Sequence, residues 1–132
     1  MTIKAAVCAA LLGGFAFASS AYDLGFDAKI DGDYETAIEH FTQAIKEDPK
    51  NADAYTLRSS VYESLGDYKS AIVDLSAVIK LKPDDAASYN NRAILYGQSG
   101  DLANAEKDAR KACQLKTCDA LNFMQENGLL GK

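Results

Sequence analysis

Displaced by 34 residues, the chain falls onto itself. Asp31-Gly32-Asp33-Tyr34 lies over Leu65-Gly66-Asp67-Tyr68, and both lie over Ser99-Gly100-Asp101-Leu102. Ala37, Ala71 and Ala105 coincide, as do Ile45, Ile79 and Cys113, and Pro49 coincides with Pro83. A fixed period of this length constrains the fold more than any composition can. Each unit is one supersecondary element too small to bury its own apolar face, so consecutive units must stack and share a core.

Each unit reads as two helices. Between Ala52 and Leu65 the large residues Tyr55, Val61, Tyr62 and Leu65 recur at helical and not alternating steps. Gly66 suits the left-handed residue that ends a helix, and Asp67 can cap the next one. Tyr68, Ala71, Ile72, Leu75, Val78 and Ile79 then form a second stripe. Pro83 interrupts it, and Asp85 is placed to cap the succeeding helix. The same glycine–aspartate punctuation recurs at Gly32 and Gly100.

These residues resemble the tetratricopeptide repeat family. The middle unit, 52–85, carries the signature on Tyr55, Ser59, Tyr62, Ala71, Leu75 and Pro83. The first, 18–51, carries it on Leu24, Gly25, Ala28, Ala37, Phe41, Ala44 and Pro49, with Ala21 and Ala28 where bulky residues are usual. The third, 86–119, carries it on Tyr89, Ala93, Tyr96, Ala105 and Ala112, with Ala109 replacing an aromatic and Thr117 a proline. The resemblance implies an all-α fold: a right-handed superhelical stack of three helix-turn-helix hairpins. A short capping helix over about 119–127 should close it, with Leu121, Phe123 and Met124 covering the exposed end.

The N-terminus has a different character. Lys4 is followed by an uncharged run from Ala5 to Ala18, then by small residues up to Ala21. This is the layout of a secretory signal peptide over 1–21, with small-x-small cleavage possible after Ala18 or Ala21. The repeat domain then occupies 22–132, and the expected location is periplasmic or secreted. After removal of the signal no membrane-inserting segment is expected. Export leaves Cys113 and Cys118 as an even pair in an oxidising compartment. Five residues apart, they can join only if the helix carrying Cys113 ends near Lys116-Thr117, because a disulfide brings Cα atoms within about 7 Å.

Catalytic groupings are missing from the sequence. His40 is the single histidine, and the two remaining cysteines have no histidine partner to complete a zinc site. No phosphate-binding loop or nucleophile elbow is present. The paired carboxylates Asp31/Asp33 and Asp84/Asp85 fall at turns and caps. The expectation is a protein that is not an enzyme and takes no cofactor or metal. A formal net charge of −5, with no basic cluster, argues against nucleic acid as a partner.

What remains is a binding groove, which in the resembled family is lined by the first helix of each repeat. Its positions fall on Tyr22, Phe26, Lys29 and Ile30, on Asp53, Thr56, Ser60 and Glu63, and on Asn90, Asn91, Ile94 and Gln98. Family members that grip a partner's C-terminal carboxylate use a clamp of Lys, Arg and Asn; only Asn91 matches it. Arg58 and Arg92, which recur at one repeat position, are expected to pack their stems against a neighbouring helix. The function implied is a protein–protein interaction module of a bacterial-type cell envelope that holds a neutral or basic peptide segment. The alternative is a structural scaffold that associates with itself; sequence leaves the oligomeric state open.

Overall fold

The computed structural model describes residues 19–131. Seven helices follow one another: α1 (Ala21–Ile30), α2 (Tyr34–Glu47), α3 (Ala52–Ser64), α4 (Tyr68–Leu81), α5 (Ala86–Gln98), α6 (Leu102–Gln114) and α7 (Asp119–Glu126). Among the described residues there is no strand. The first six pair as three hairpins, stacked so that α2 packs on α3 and α4 on α5, while α7 lies against α5 and α6. The expected all-α stack with a short terminal helix is what the chain forms. The proposed signal peptide lies outside the described residues, apart from 19–21.

Local chemistry sets the helix boundaries. Asp33, Asp67 and Asp101 accept hydrogen bonds from the amides of Thr36, Ser70 and Asn104 at 3.1–3.2 Å, which satisfies N–H groups the helix itself leaves free. Before each, Gly32, Gly66 or Gly100 takes a φ of 74–85°. Asp33, Asp67 and Asp101 then donate their own amides back to Ala28, Tyr62 and Tyr96, closing the preceding helix. Asn51 and Asp85 cap α3 and α5 in the same way. At the start of α1, Ser20 and Asp23 form a reciprocal capping box.

Packing within the first two hairpins pairs a small residue with a larger one, whereas the third pairs two small ones. Gly25 of α1 faces Phe41 of α2, which is fully buried. The equivalent positions are Ser59 with Leu75, then Ala93 with Ala109. Ser59 also donates its hydroxyl to the Ala71 carbonyl at 3.0 Å, joining α3 to α4. Seams between hairpins are filled by a residue of the third turn of the following helix: Val61 packs on Ala37 and Phe41, and Leu95 on Ala71 and Leu75. The third hairpin is poor in volume, with alanine at 93, 105 and 109, so its core depends on Ala120 and Met124 of α7.

The terminal helix differs in detail from the sequence expectation. Met124 and Ala120 are buried and Leu121 is half-buried, but Phe123 is 60% exposed. The reason is rotational: in a helix, positions 120 and 124 share a face that 123 adjoins only at its edge. Between Cys113 and Cys118 the helix does end, as the pairing requires. Lys116 adopts φ 75°, Thr117 donates its amide to Ala112, and the two cysteines are joined with Cα atoms 4.1 Å apart. No side chain caps α7 from Cys118. Instead the Ala120 amide donates to the carboxamide oxygen of Asn90 at 2.9 Å.

Two outcomes test this packing. Alanine at position 25 would bring a Cβ within 2.8 Å of the Phe41 ring. Despite alanine's better helix propensity, Gly25→Ala should destabilise by about 1–3 kcal/mol in urea unfolding, the usual range for an overfilled core. Reduction of Cys113–Cys118, or its replacement by serines, should lower stability by about 2 kcal/mol, the loop-entropy value for so short a closure. Amide exchange should rise first in α7.

Candidate partner-binding surface

The stack rests on two matching polar clusters that must be separated from any binding surface. Arg58 of α3 donates to both carboxylate oxygens of Asp74 in α4, at 2.8 and 2.7 Å, and to the Thr42 hydroxyl of α2 at 2.9 Å. Arg92 of α5 repeats this with Asp108 of α6, at 2.6 and 2.9 Å, and with the Ser76 hydroxyl of α4 at 2.9 Å. Each guanidinium lies near two tyrosine rings, Tyr55 and Tyr62 or Tyr89 and Tyr96, at 5.8–5.9 Å. The carboxylate hydrogen bonds raise both arginine pKa values above their ordinary range. Asp74 and Asp108 are buried. Each arginine directs three of its N–H groups to neighbouring side chains and binds three consecutive helices together. Sequence reasoning foresaw a structural role but missed the carboxylate partners. The signal was available, because Asp74 and Asp108 also recur at 34 residues on otherwise apolar stripes.

The residues assigned to the groove divide into three groups. Phe26, Asp53, Glu63, Asn91 and Ile94 are exposed, with Phe26 and Ile94 each 42% accessible. Lys29, Thr56 and Ser60 are half-buried. The Thr56 and Ser60 hydroxyls donate to carbonyls of their own helix, Ala52 and Leu57, which occupies their donors locally. Asn90 is buried, and its oxygen is committed to α7. Its assignment to the groove rested on repeat register alone, which does not reveal that a seventh helix lies over it. Asp53 pairs with Lys82 at 3.7 Å across exposed surface, a contact of small energetic weight. Partial burial, then the charges of Asp53 and Asp23, raise the pKa of Tyr22. His40 is half-buried on α2.

A second surface feature was not read from the sequence. At the C-terminal end, α5, α6 and α7 enclose an open cavity of about 540 Å³ lined by Ile94, Gly97, Leu102, Phe123, Met124 and Leu129, among others. After α7, Gly128 turns the chain at φ 64° and the Leu129 amide donates to the Met124 carbonyl at 2.9 Å. The tail is then held by the Gly131 amide, which donates to Glu106 at 2.8 Å. This bond, with the one from Arg110, lowers the Glu106 pKa below the usual carboxylate range. Among the described residues, no group of three or more His, Cys, Asp or Glu side chains is placed to hold a metal ion. No described helix is long and apolar enough to cross a membrane.

The sequence matches two family models, both described as tetratricopeptide repeat, over residues 29–89 and 86–117. Together they span about two thirds of the chain. The chain belongs to the tetratricopeptide repeat family. No curated protein matches it in sequence. Among solved structures, it is similar to the second TPR domain of the human RPAP3 protein in complex with the HSP70 peptide SGPTIEEVD, at 25% identity and TM-score 0.74, covering 86% of this chain and 94% of that one. It is similar in fold to the first TPR of Spaghetti (RPAP3) bound to the HSP90 peptide SRMEEVD, at 24% identity and TM-score 0.72, covering 80% and 86%. MamA matches at 28% identity and TM-score 0.71 over 73% of this chain, which spans 56% of MamA's length.

The structural role of the arginines in this tetratricopeptide stack can be measured. Arg58→Met leaves the Asp74 carboxylate buried without its partner and should cost about 3 kcal/mol in urea unfolding. Adding Asp74→Leu should recover most of that loss, because the uncompensated charge is then removed as well.

Proposed function

We propose that this tetratricopeptide protein is a non-catalytic interaction module that holds a neutral or basic segment of a partner protein along the first-helix face of its stack. The observation that carries this reading is where the charges lie. Both recurring arginines are enclosed with Asp74 and Asp108, whereas Asp53 and Glu63 stand exposed on α3. The peptides in the two RPAP3 structures contain two glutamates and an aspartate apiece. A segment of that charge would meet carboxylates here, and Lys29 is the one basic residue among the assigned groove positions. Peptide binding by such neighbours supports a peptide partner; the acidic face supports a different class of peptide.

The proposal extends to location. Three hairpins preceded by a signal peptide, with a Cys113–Cys118 disulfide, suit a protein working in the cell envelope or outside it. Cleavage after Ala18 would keep the Ser20–Asp23 capping box, whereas cleavage after Ala21 would remove Ser20 and its cap, at a cost of about 1 kcal/mol. Ala18 is therefore the preferred site. Self-association is the second reading, favoured by the open face of α1, where Ile30 is 70% exposed.

One experiment separates the two. Crosslinked capture from envelope extract should recover a partner with the native chain and lose it at least tenfold with Asp53→Lys/Glu63→Lys. Sedimentation should show the same mass for both forms. Undiminished capture by the charge-reversed chain would refute groove binding. A native assembly that is a multimer of this chain alone would favour the scaffold.

A further inference from the structure

The cavity at the C-terminal end is an unfinished seam of the solenoid. In the first two seams the plug is Val61 or Leu95, each carried on a first helix of 13 residues and no more than 2% exposed. The residue 34 positions beyond Leu95 is Leu129. It should plug the third seam, but α7 is only eight residues long and ends at Glu126. Leu129 therefore sits on a turn past Gly128 and stays half-buried. A second position fails in the same way. Tyr34 and Tyr68 are partly buried against their seams, while their counterpart Leu102 is 42% exposed. On α5, Gly97 contributes no side chain, and Phe123 stands at the rim. The hollow occupies the place where the last turn and a half of a full-length helix would lie.

We infer that this cavity is the anchor subsite of the partner segment, taking two large apolar side chains at helical spacing from a segment whose flanks are basic. This rests on the groove reading above and names the chemistry of its ligand. Apolar lining and the helix-shaped vacancy select large aliphatic or aromatic residues presented on one helical face. The size lies within the usual range of ligand cavities, about 300–1,000 Å³. Charge selects the flanks. Asp119 is the single ionisable residue lining the cavity. Asp53 and Glu63 continue the negative character on the first-helix face, and the whole chain carries −5. A basic segment is attracted and an acidic one repelled.

Gly97 makes the test clean, because a Cβ built there meets nothing within 4 Å. Gly97→Leu fills the hollow from an ordinary helical position and improves helix propensity, so the chain should stay folded. The full chain, labelled with nitrogen-15, is titrated with a 12-residue synthetic probe carrying Leu and Phe at i and i+4 on a lysine–alanine background. A matched probe has glutamate for lysine. The expected result is amide shifts at Ile94, Gly97, Leu102, Phe123 and Leu129. The lysine probe should bind at least tenfold more tightly than the glutamate probe. Gly97→Leu should weaken it at least tenfold, and the exposed-site variant Phe123→Ser should weaken it too. Equal binding by Gly97→Leu would overturn the inference, as would absence of binding at millimolar probe. Shifts confined to α1 and α3, removed by Asp53→Lys/Glu63→Lys, would overturn the subsite while leaving the groove reading intact. A peptide-free dimer abolished by Gly97→Leu would assign the cavity to a second copy and overturn it as well.

Discussion

Each described helix packs against at least two others, so the seam between hairpins is the constraint on which the rest depends. Hydrophobic burial supplies the drive but is weakly directional, and a stack of smooth stripes would tolerate sliding. The arginine clusters remove that freedom. Arg58 reaches Asp74 within its hairpin and Thr42 in the one before, and Arg92 does the same with Asp108 and Ser76. Bidentate guanidinium–carboxylate geometry holds only over a narrow range of positions. A buried pair of this kind adds little net stability over an apolar pair of equal size. What it adds is a geometric condition that two helices of one hairpin and one of the hairpin before must meet together.

The two ends of the stack obey the same constraint. At α1, Leu24 occupies the position that Arg58 and Arg92 hold elsewhere, and His40 of α2 stands where Asp74 and Asp108 stand, so the first hairpin carries no such ion pair. At the other end the third hairpin is built from alanines, and α7 supplies the missing volume through Met124. That helix is too short to be stable alone. It is retained by three different means: the Cys113–Cys118 disulfide, the Asn90 carboxamide on its first turn, and the Gly131–Glu106 bond after it.

Function depends on which charges the stack consumes. Enclosing the arginines leaves carboxylates as the exposed charges on α3, and in the proposed function these select the class of segment the face holds. The apolar cavity beside α7 arises from the same shortage of side-chain volume, in a last helix cut short and a bare Gly97. In the proposed function a weak seam and a binding site are one feature, since a surface left unfilled by its own chain is available to another. The polar hydroxyls of Thr56 and Ser60, bonded to their own backbone, contribute shape more than recognition.

By itself the sequence determined the architecture. The 34-residue period, the Gly–Asp hinges and the prolines are local signals, and local hydrogen-bond chemistry is enough to turn them into helices, caps and hairpins. It also established that Cys113 and Cys118 could pair only across a helix end, which Lys116 provides with its positive φ. Tertiary structure alone decided the rest. Asn90 belongs to the core and not to the groove, Phe123 to the rim and not to the cap, and the arginines to carboxylates 16 residues away. The physical reason is that each depends on a neighbour contributed by a different helix. Repeat register fixes which way a side chain points, but not what has already been packed in front of it.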